Sequence, residues 1–503
     1  MAAVQQASDK KAPSHEISVD IKDGHDSDSS AAQDSVSPPA YLPANHERKE
    51  TGGRWFHWHE PGTSKQEKRL ILKLDWFLLS YSCLCFFNKY LDQTNISNAY
   101  VSGMQEELGF GKANELSWMN TYFFIGIIIG GPLSNLVLTV VPPRIWLPTC
   151  MLSWSIFVLF LYKCNKASEF YAIRFCIGFF ESAAFPGIHY VLGSWYRKSE
   201  LARRSSLFVI SGVLGQMFSG YLQSALYTGM DGKGGMSAWR WLFIFDFILA
   251  IPIAIYGFFF FPDTPETTKA FYLNEWERNR AKERIAEEGR TPVGKLDMTS
   301  IKRIFMSWQL WTFSLGWALW SLTSASYVMQ FFGLWLKSEK RYSVPQINNL
   351  PTIIGAVNFF FMIGTGFISD KIGKRGPVCA AVGIILTFCY IVLTIWNVPS
   401  GLKIFAYCLA GCYGCISPLL AGWVNSVCGG DSQLRAFTLA FMGSFGQAVV
   451  IPFQQYQFPS SQAPTYSKTH GYASALAFVV ALTLWTGFGI GWIEKRATLK
   501  LVK

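Results

Sequence analysis

The sequence predicts an all-α membrane protein with twelve transmembrane helices arranged as two six-helix bundles. Half of the 503 residues are hydrophobic and only 15% are charged, whereas a soluble chain carries about a quarter of charged residues. Apolar runs of about 20 residues, long enough to cross a bilayer, recur along the chain. A hydrophilic stretch at 262–307 separates six of these runs from the other six.

The apolar runs are interpreted as helices, because an isolated strand would leave its backbone N–H and C=O groups unsatisfied in lipid. Each run is therefore treated as one span, numbered in chain order. The predicted spans fall near residues 74–99, 116–140, 145–162, 169–193, 205–228, 240–261, 309–336, 346–369, 377–396, 402–424, 434–454 and 472–493.

The domain limits follow from these spans. The first residues are polar and rich in Ser, Asp and Lys, so we expect a disordered cytosolic tail. Inside the hydrophilic stretch, residues 273–289 are dense in Glu, Arg and Lys at helical spacing and predict a cytosolic surface helix. The predicted units are a tail at 1–69, an N-terminal bundle at 70–262, a linker at 263–307, a C-terminal bundle at 308–494 and a second tail at 495–503.

The distribution of basic residues predicts the orientation, since cytoplasmic loops carry an excess of Lys and Arg. Three cytoplasmic clusters are expected, and they contain Arg197, Lys198, Arg203, Arg204, Lys371, Lys374, Arg375, Lys495, Arg496, Lys500 and Lys503. Lys337, Lys340 and Arg341 weaken this pattern on the outer side without reversing it. We therefore expect a multi-pass protein of the plasma membrane with both termini in the cytoplasm.

The two halves of the chain carry similar residues at corresponding positions. The second and eighth spans end in related segments, GPLSN at 131–135 and GFISD at 366–370. An acid and an arginine at i,i+4 follow both the fourth span, at Glu200 and Arg204, and the tenth, at Asp431 and Arg435. This repetition predicts a duplicated transporter with its substrate site between the halves.

The segment GFISDKIGKR at 366–375 resembles the cytoplasmic loop signature of the major facilitator superfamily. The resemblance implies that fold and a cytoplasmic gate. In such a gate, glycines allow close helix approach while acids and bases form charge contacts. The residues expected to form it are Gly366, Asp370, Gly373 and Arg375, together with Glu200 and Arg204.

Segments of the first half resemble a narrower group. They are LDQTNI at 91–96, RFCIG at 174–178, FPG at 185–187, WRWLF at 239–243 and PDTP at 262–265. Together they are similar to the anion:cation symporter family, and most of all to its fungal allantoate permease branch. Within that branch, NAYVSGM at 98–104 and YSVPQIN at 342–348 look most like pantothenate and biotin transporters.

The resemblance implies roles for several residues of the first half. Asp92, Glu181 and His189 match positions that couple protons, and Arg174 matches a position that serves the substrate carboxylate or the network of acids. This chain has Gln93 where relatives commonly carry an arginine, so Lys89 is a candidate for the missing cation. The equally weighed alternative for Lys89 is snorkelling to the outer surface. For His189, a structural hydrogen bond is the alternative to proton coupling, and it is the favoured one.

Spacing independently places two of these residues together. Arg174 and Glu181 are seven residues apart and so share one helix face. A charge in the middle of a membrane costs about 2.5–3.5 kcal/mol, which suggests that this face lines a path for a proton and an organic anion. The alternative is a permanent ion pair of Arg174 with Glu181 or Asp92 that holds helices together.

The second half has no ionisable residue deep in its predicted spans, so we expect it to supply neutral contacts to the substrate. The predicted substrate-binding residues are Arg174, Lys89, Gln93 and Asn95 in the first half, and Gln330, Asn358, Asn425 and Gln447 in the second.

Other classes of function are disfavoured. The sequence has no phosphate-binding loop, hydrolase motif or metal-ligand spacing, so we expect no enzyme, no cofactor and no metal. The net charge is +11, but the basic residues lie mostly beside the spans, so this charge does not indicate nucleic-acid binding. We expect a monomer whose partners are a small organic anion, protons and the lipid bilayer.

The leading hypothesis is a secondary active symporter that imports a vitamin-like carboxylate such as pantothenate with protons by alternating access. An efflux carrier of a metabolite or drug on the same fold is the main alternative. The fifth span, SGVLGQMFSG at 211–220, has glycines but lacks the proline common in such exporters, which favours import. A third class, a nutrient sensor, is disfavoured by short cytosolic extensions.

Overall fold

The structure is a computed structural model that describes residues 58–59, 63–111, 113–138, 140–287, 298–428 and 431–502. The side chains at 198–199, 202, 370, 432 and 498–502 fall outside this description. Most of the predicted tail at 1–69, part of the linker and the side chain of Asp370 therefore lie outside the described residues.

The first half consists of six membrane-spanning segments. The first span begins at Lys65, earlier than the predicted limit at residue 70, and ends at Glu107. It is kinked near this end, where Ser102 and Gly103 leave the helical conformation and Gly103 adopts a φ of 116°. The fourth span is divided into two helices. The helices of this half are Lys65–Glu107, Glu115–Val137, Pro143–Lys163, Ala167–Glu181 with Ala184–Trp195, Lys198–Met230 and Ala238–Phe260.

The second half follows two short linker helices, Glu275–Ala286 and Met298–Phe305. Its seventh, eighth, tenth and twelfth spans each contain a break or a turn of different pitch. The helices are Trp308–Leu322 with Val328–Ser338, Val344–Asn349 with Thr352–Ile372, Gly376–Ile395, Ser400–Leu409 with Ala410–Cys415 and Ile416–Val427, Ser432–Gln457, and Gly471–Leu484 with Trp485–Gly489 and Ile490–Val502.

The seventh span differs most from its prediction of one helix over 309–336. Eleven helices of the described chain are long and apolar enough to cross a membrane, and the seventh span is not among them. It is divided because Ser324 adopts a left-handed conformation with φ of 53°, which a right-handed helix cannot contain. The two pieces together still cover the predicted span.

The fourth span breaks directly after Glu181, and the next helix begins at Ala184. Pro186 lies in the first turn of that helix, a position that tolerates proline because the missing N–H has no partner there. The break makes Glu181 the last residue of its helix, in the middle of the span.

The two halves repeat one packing scheme. In the first half, span one packs on span five, two on four and three on six; in the second, seven packs on eleven, eight on ten and nine on twelve. Glycines permit the closest contacts: a Cβ on Gly178 would lie 2.0 Å from the carbonyl oxygen of Phe123, and one on Gly411 would lie 2.4 Å from that of Ile354. The prediction of two related six-helix bundles is confirmed.

Contacts between the halves gather at one end of the molecule, here called the Glu107 end; the opposite end is the Arg204 end. Lys337 Nζ lies 2.8 Å from Glu106 Oε1, and Asn348 Nδ2 donates to Ser102 Oγ at 2.9 Å. The backbone N–H of Ser460 donates to Ser117 Oγ at 3.0 Å. Among the described side chains, polar contacts between the halves lie toward this end.

The linker helix Glu275–Ala286 is attached to the first half. Its Asn274 cap accepts a hydrogen bond from the N–H of Glu277 at 2.8 Å, and Lys73 pairs with Glu277 at 2.8 Å. The fully buried Arg284 pairs with Glu67 and with Glu200, each at 2.6 Å. Several charges therefore fix this helix to the Arg204 end of the first half.

Candidate functional site

Glu181 is a fully buried acid with two partners from the first span. Gln93 Nε2 donates to Glu181 Oε1 at 2.8 Å, and Lys89 Nζ lies 3.7 Å from the same oxygen. Oε2 of Glu181 has no hydrogen-bond partner. Lys89 and Gln93 are four residues apart and so share a face of the first span. The cation closest to Glu181 is thus Lys89, which sequence reasoning offered as the replacement for a missing arginine.

Arg174, seven residues before Glu181 on the same helix, is also buried, with 2% of its surface exposed. Its guanidinium carbon stands 4.2 Å from the ring centre of Phe123, and one terminal nitrogen makes a long contact of 3.5 Å with Asn120 Oδ1. Within the described part of the chain, Arg174 forms no ion pair, so the alternative of a permanent pair with Glu181 or Asp92 does not hold here. A buried guanidinium without an anion is costly, which makes this position suited to bind one.

A small cavity lies between the two halves, and Arg174 contacts one of its lining residues, Asn120, without lining it itself. Gln330 of the seventh span also lines it: its Oε1 accepts from Asn120 Nδ2 at 3.1 Å and from Ser97 Oγ at 3.3 Å. The cavity is lined by Ser117, Asn120, Thr121, Phe124, Tyr327, Gln330, Ile451 and Gln454. Of these residues, sequence reasoning identified Gln330 alone. Three others could have been predicted from the sequence. Ser117, Asn120 and Thr121 are polar residues at i, i+3 and i+4 in an apolar span, so they share one helix face.

The other predicted contacts of the second half lie elsewhere. Asn358 packs against Gly414, where a Cβ would approach its Oδ1 to 2.1 Å. Asn425 is exposed near the Arg204 end, on the helix Ile416–Val427. Gln447 has an Oε1 that is buried without a partner, on the eleventh span. The structure therefore brings Gln330 to the cavity between the halves but not these three residues.

Asn95 and Asp92 belong to a second polar cluster rather than to that cavity. Asn95 Nδ2 donates to Asp246 Oδ2 at 2.5 Å, and Asn95 Oδ1 accepts from Ser219 Oγ at 2.6 Å. Asp92 receives long contacts of 3.4 and 3.3 Å from Asn88 Nδ2. The side chain of Asn95 is occupied by these internal bonds, so its predicted contact with substrate would require their loss.

His189 lies apart from the other predicted proton-coupling residues. Its Nδ1 is 3.1 Å from the carbonyl oxygen of Phe185, one turn earlier on the same helix. Its ring packs against the rings of Phe185 and Phe208, at centroid distances of 4.3 and 5.0 Å. This aromatic setting fits the structural alternative for His189.

The predicted gate residues of the first half contact partners within that half and the linker. Arg204 Nε and Nη2 donate to the two carboxylate oxygens of Asp75 at 2.6 and 2.8 Å, while Glu200 binds Arg284. Tyr196 and Trp58 also donate to Asp75, at 2.9 and 2.8 Å. Arg204 was predicted as a gate residue, but its pairing with Asp75 could not be predicted, because the two residues are far apart along the chain.

In the second half, Gly373 ends the eighth span with φ of 69°, a conformation that glycine adopts readily. Arg375 donates to the carbonyl oxygen of Gly422 and to Ser426 Oγ on the tenth span. A Cβ on Gly366 would meet no atom within 4 Å, so no close helix approach occurs there in this conformation. The gate contact predicted for Asp370 involves a side chain outside the described residues.

Comparison with known proteins agrees with this architecture. The sequence model of the Major Facilitator Superfamily matches residues 82–453. Among solved structures, a D-xylose–proton symporter superposes with a TM-score of 0.64, covering 82% of this chain and 97% of that one at 14% identity. At this identity the likeness concerns the fold.

Curated relatives are closer in sequence. The MFS transporter PfmaC of Pestalotiopsis fici is 64% identical over 96% of this chain and 90% of its own length. The pantothenate transporter liz1 of Schizosaccharomyces pombe is 38% identical, covering 81% of this chain and 79% of its own. The vitamin H transporter of Saccharomyces cerevisiae is 30% identical, covering 88% and 76%. These relatives are transporters rather than enzymes, and the chain belongs to the Major Facilitator Superfamily.

Proposed function

We propose that this protein is a secondary active transporter that imports a small organic anion with protons across the plasma membrane, with both termini in the cytoplasm. Pantothenate is the preferred substrate, followed by biotin or a related carboxylate. The observation that carries the proposal is Arg174, a buried guanidinium that contacts the cavity residue Asn120 and forms no ion pair among the described residues. A substrate carboxylate supplies the direct ionic partner that Arg174 lacks.

The choice of pantothenate rests on the names of the relatives and on the chemistry of the cavity. Two relatives at 38% identity are named pantothenate transporters. Pantothenate carries a carboxylate, an amide and two hydroxyl groups. Arg174 suits the carboxylate, while the amide and hydroxyl side chains of Gln330, Gln454, Ser117 and Thr121 suit the neutral polar groups.

Proton coupling is assigned to Glu181. In the absence of substrate its charge is balanced by Lys89, 3.7 Å away. An anion that binds Arg174 adds negative charge to the same buried region and thereby favours the protonated form of Glu181. Because linkage is reciprocal, a proton on Glu181 strengthens anion binding by the same factor. Substrate and proton then move together.

Alternating access requires the contacts at the Glu107 end to break. If that end is the outer one, as the basic residues predict, this conformation is closed to the outside. The ion pair of Lys337 with Glu106 and the bond from Asn348 to Ser102 hold the halves together there. Opening to the outside separates these pairs while the opposite ends approach each other.

The test is uptake of radiolabelled pantothenate by cells that lack their own carrier. We expect uptake that increases as external pH falls and that collapses with an uncoupler. The exposed-acid variant Glu275→Gln, on the linker helix, serves as the matched control and should behave as wild type. Uptake insensitive to the uncoupler would reject proton coupling, and net proton-driven export would favour the efflux alternative.

A further inference from the structure

The first and sixth spans bring two buried acids together. Asp92 is 4% exposed and Asp246 is fully buried, and their carboxyl groups lie within hydrogen-bonding reach of each other. Asn95, one turn beyond Asp92, donates to Asp246 Oδ2 at 2.5 Å. Asn88, one turn before Asp92, contacts both oxygens of that residue. Carboxamides of one helix thus bracket the acid pair.

The surroundings of this pair contain little positive charge. Among the described residues, neither acid forms an ion pair. The fourth span contributes two charged groups that face Asp92, the carboxylate of Glu181 and the guanidinium of Arg174. The third span presents the Trp154 indole, and the fifth presents Ser219 through Asn95. Two adjacent carboxylates in such a site repel each other strongly.

The hydrogen bonds leave one oxygen free for a proton. Asp246 Oδ2 accepts from Asn95, whereas Asp246 Oδ1 is buried and has no partner. Two carboxylates cannot bond to each other, because both are acceptors only. A carboxylic acid has an O–H donor, so a proton on one of the two acids would convert the repulsive contact into a hydrogen bond between them.

We propose that Asp92 and Asp246 hold one proton between them and form a second proton position, separate from Glu181. Asp246 is then a proton-sharing partner that positions Asp92 in the transport reaction. The role in transport rests on the proposed function, but the shared proton does not, since it follows from the packing of two acids in the substrate-free protein.

The proton also balances charge in the middle of the first half. Lys89 and Arg174 supply two positive charges there, against three carboxyl groups at Glu181, Asp92 and Asp246. One shared proton makes this set neutral without substrate. A bound anion then requires one further proton, which Glu181 accepts. The acid pair and Glu181 therefore have different roles. The proton shared by Asp92 and Asp246 keeps the empty site neutral, whereas Glu181 takes up a proton when substrate binds.

The test uses infrared difference spectroscopy of the purified, substrate-free protein at neutral pH, where exposed acids are ionised. We expect the carbonyl stretch of a buried protonated carboxylic acid, shifted by exchange into heavy water. The band should disappear in Asp246→Asn and in Asp92→Asn, each of which replaces the shared proton with an amide donor. It should persist in Glu181→Gln and in the control Glu275→Gln.

Three results would overturn the proposal. They are the lack of the band in wild type, its survival in both Asp92→Asn and Asp246→Asn, and its removal by sodium ions, which would assign the position to a metal cation. The presence or absence of the band in wild type needs no variant, so the proposal can be tested even if a variant fails to fold. Because no substrate is present, failure of pantothenate transport would leave the result unaffected.

Discussion

The two halves of this protein share one packing scheme, but they differ in the charge of their buried side chains. Each places its helices in the same pairwise order, yet the buried ionisable groups in mid-span, Lys89, Asp92, Arg174, Glu181 and Asp246, belong to the first half. In the described part of the second half, the buried Lys403 lies near the start of the tenth span, 4.4 Å from the ring centre of Trp396. The second half offers amides, hydroxyl groups and aromatic rings to the cavity.

The comparison teaches that two halves can share one packing scheme while they differ in where buried charge lies. Close helix packing depends on glycines, and both halves retain these at their contacts, as Gly178 and Gly411 illustrate. Charge is a separate property, because a buried charge needs partners from several helices at once. We therefore expect substitutions in the first half to affect coupling, and those in the second half to affect affinity.

The largest effect is expected for Glu181→Gln. The variant cannot release a proton, so accumulation against a gradient should be lost, while exchange of substrate across the membrane persists. Measurement of net uptake and of counterflow in proteoliposomes separates the two activities. Full pH-dependent accumulation by Glu181→Gln would contradict the division of labour between the halves.

Arg174→Gln should weaken substrate binding by about 10- to 100-fold, since hydrogen bonds to a charged group contribute about 1.5–3 kcal/mol. Arg174→Lys keeps the charge but loses the planar fork, so a smaller loss is expected. Titration of substrate binding to the purified protein measures both. If Arg174→Gln binds the substrate with the affinity of wild type, Arg174 does not contribute to the substrate site.

On the other side of the cavity, Gln330→Ala and Gln454→Ala should each raise KM by about 2- to 10-fold, the value of a neutral hydrogen bond. The accumulation ratio should stay near that of wild type, because neither side chain carries charge. The matched control is Asn425→Ala, an exposed position outside the cavity. A loss of accumulation in Gln330→Ala would show that coupling extends into the second half.

Lys337→Ala tests the contact between the halves at the Glu107 end. The pair with Glu106 is partly exposed, so its loss should shift the conformational equilibrium by no more than about 1 kcal/mol. Hydrogen exchange of residues 100–107 should become faster by up to about fivefold. Unchanged exchange there would indicate that the other contacts at this end suffice to hold the halves together.

The smallest effect concerns the linker helix, which is fixed to the first half. The hydrogen bond from Arg280, with the charges of Arg280 and Arg197, lowers the pKa of the exposed Glu287. Because this pKa is lowered in the folded protein, the ionised carboxylate stabilises the docked helix at neutral pH. This stabilisation is lost as the pH falls through the pKa of Glu287 in the folded state. Amide protection of 275–286, corrected for intrinsic exchange, should decrease on acidification. The variant Glu287→Gln should lack this pH dependence of amide protection. If the dependence persists in the variant, another acid is responsible for it.

Much of the fold was predictable, because apolar runs of membrane length leave one regular solution for the backbone. The limits of the sixth span, the linker helix and the twofold repetition followed from local patterns. The break at Ser324 did not follow, since a left-handed serine has no distinctive neighbours in sequence. The resemblance to the major facilitator superfamily is confirmed, whereas the finer assignment to the allantoate permease branch stays a prediction.

The site was predictable in part. The sequence indicated that Arg174, Glu181, Asp92 and Lys89 are unusual, because each is an ionisable residue within an apolar run. It could not indicate which of them would touch. Helix spacing suggested that Arg174 governs Glu181, but the observed neighbour is Lys89 on another span. Asn358 and Asn425 were equally plausible substrate contacts until the helices were packed.

The sequence by itself determined the class of this protein, the number of its spans and the half that holds its charges. These depend on composition and on spacing along one helix, which are local properties. Tertiary structure decided the pairing of Lys89 with Glu181, of Asp92 with Asp246 and of Gln330 with Asn120, because each contact joins helices whose relative rotation no single helix specifies. The proposed function depends on these pairings, since the chemistry of a buried charge is set by the groups that surround it.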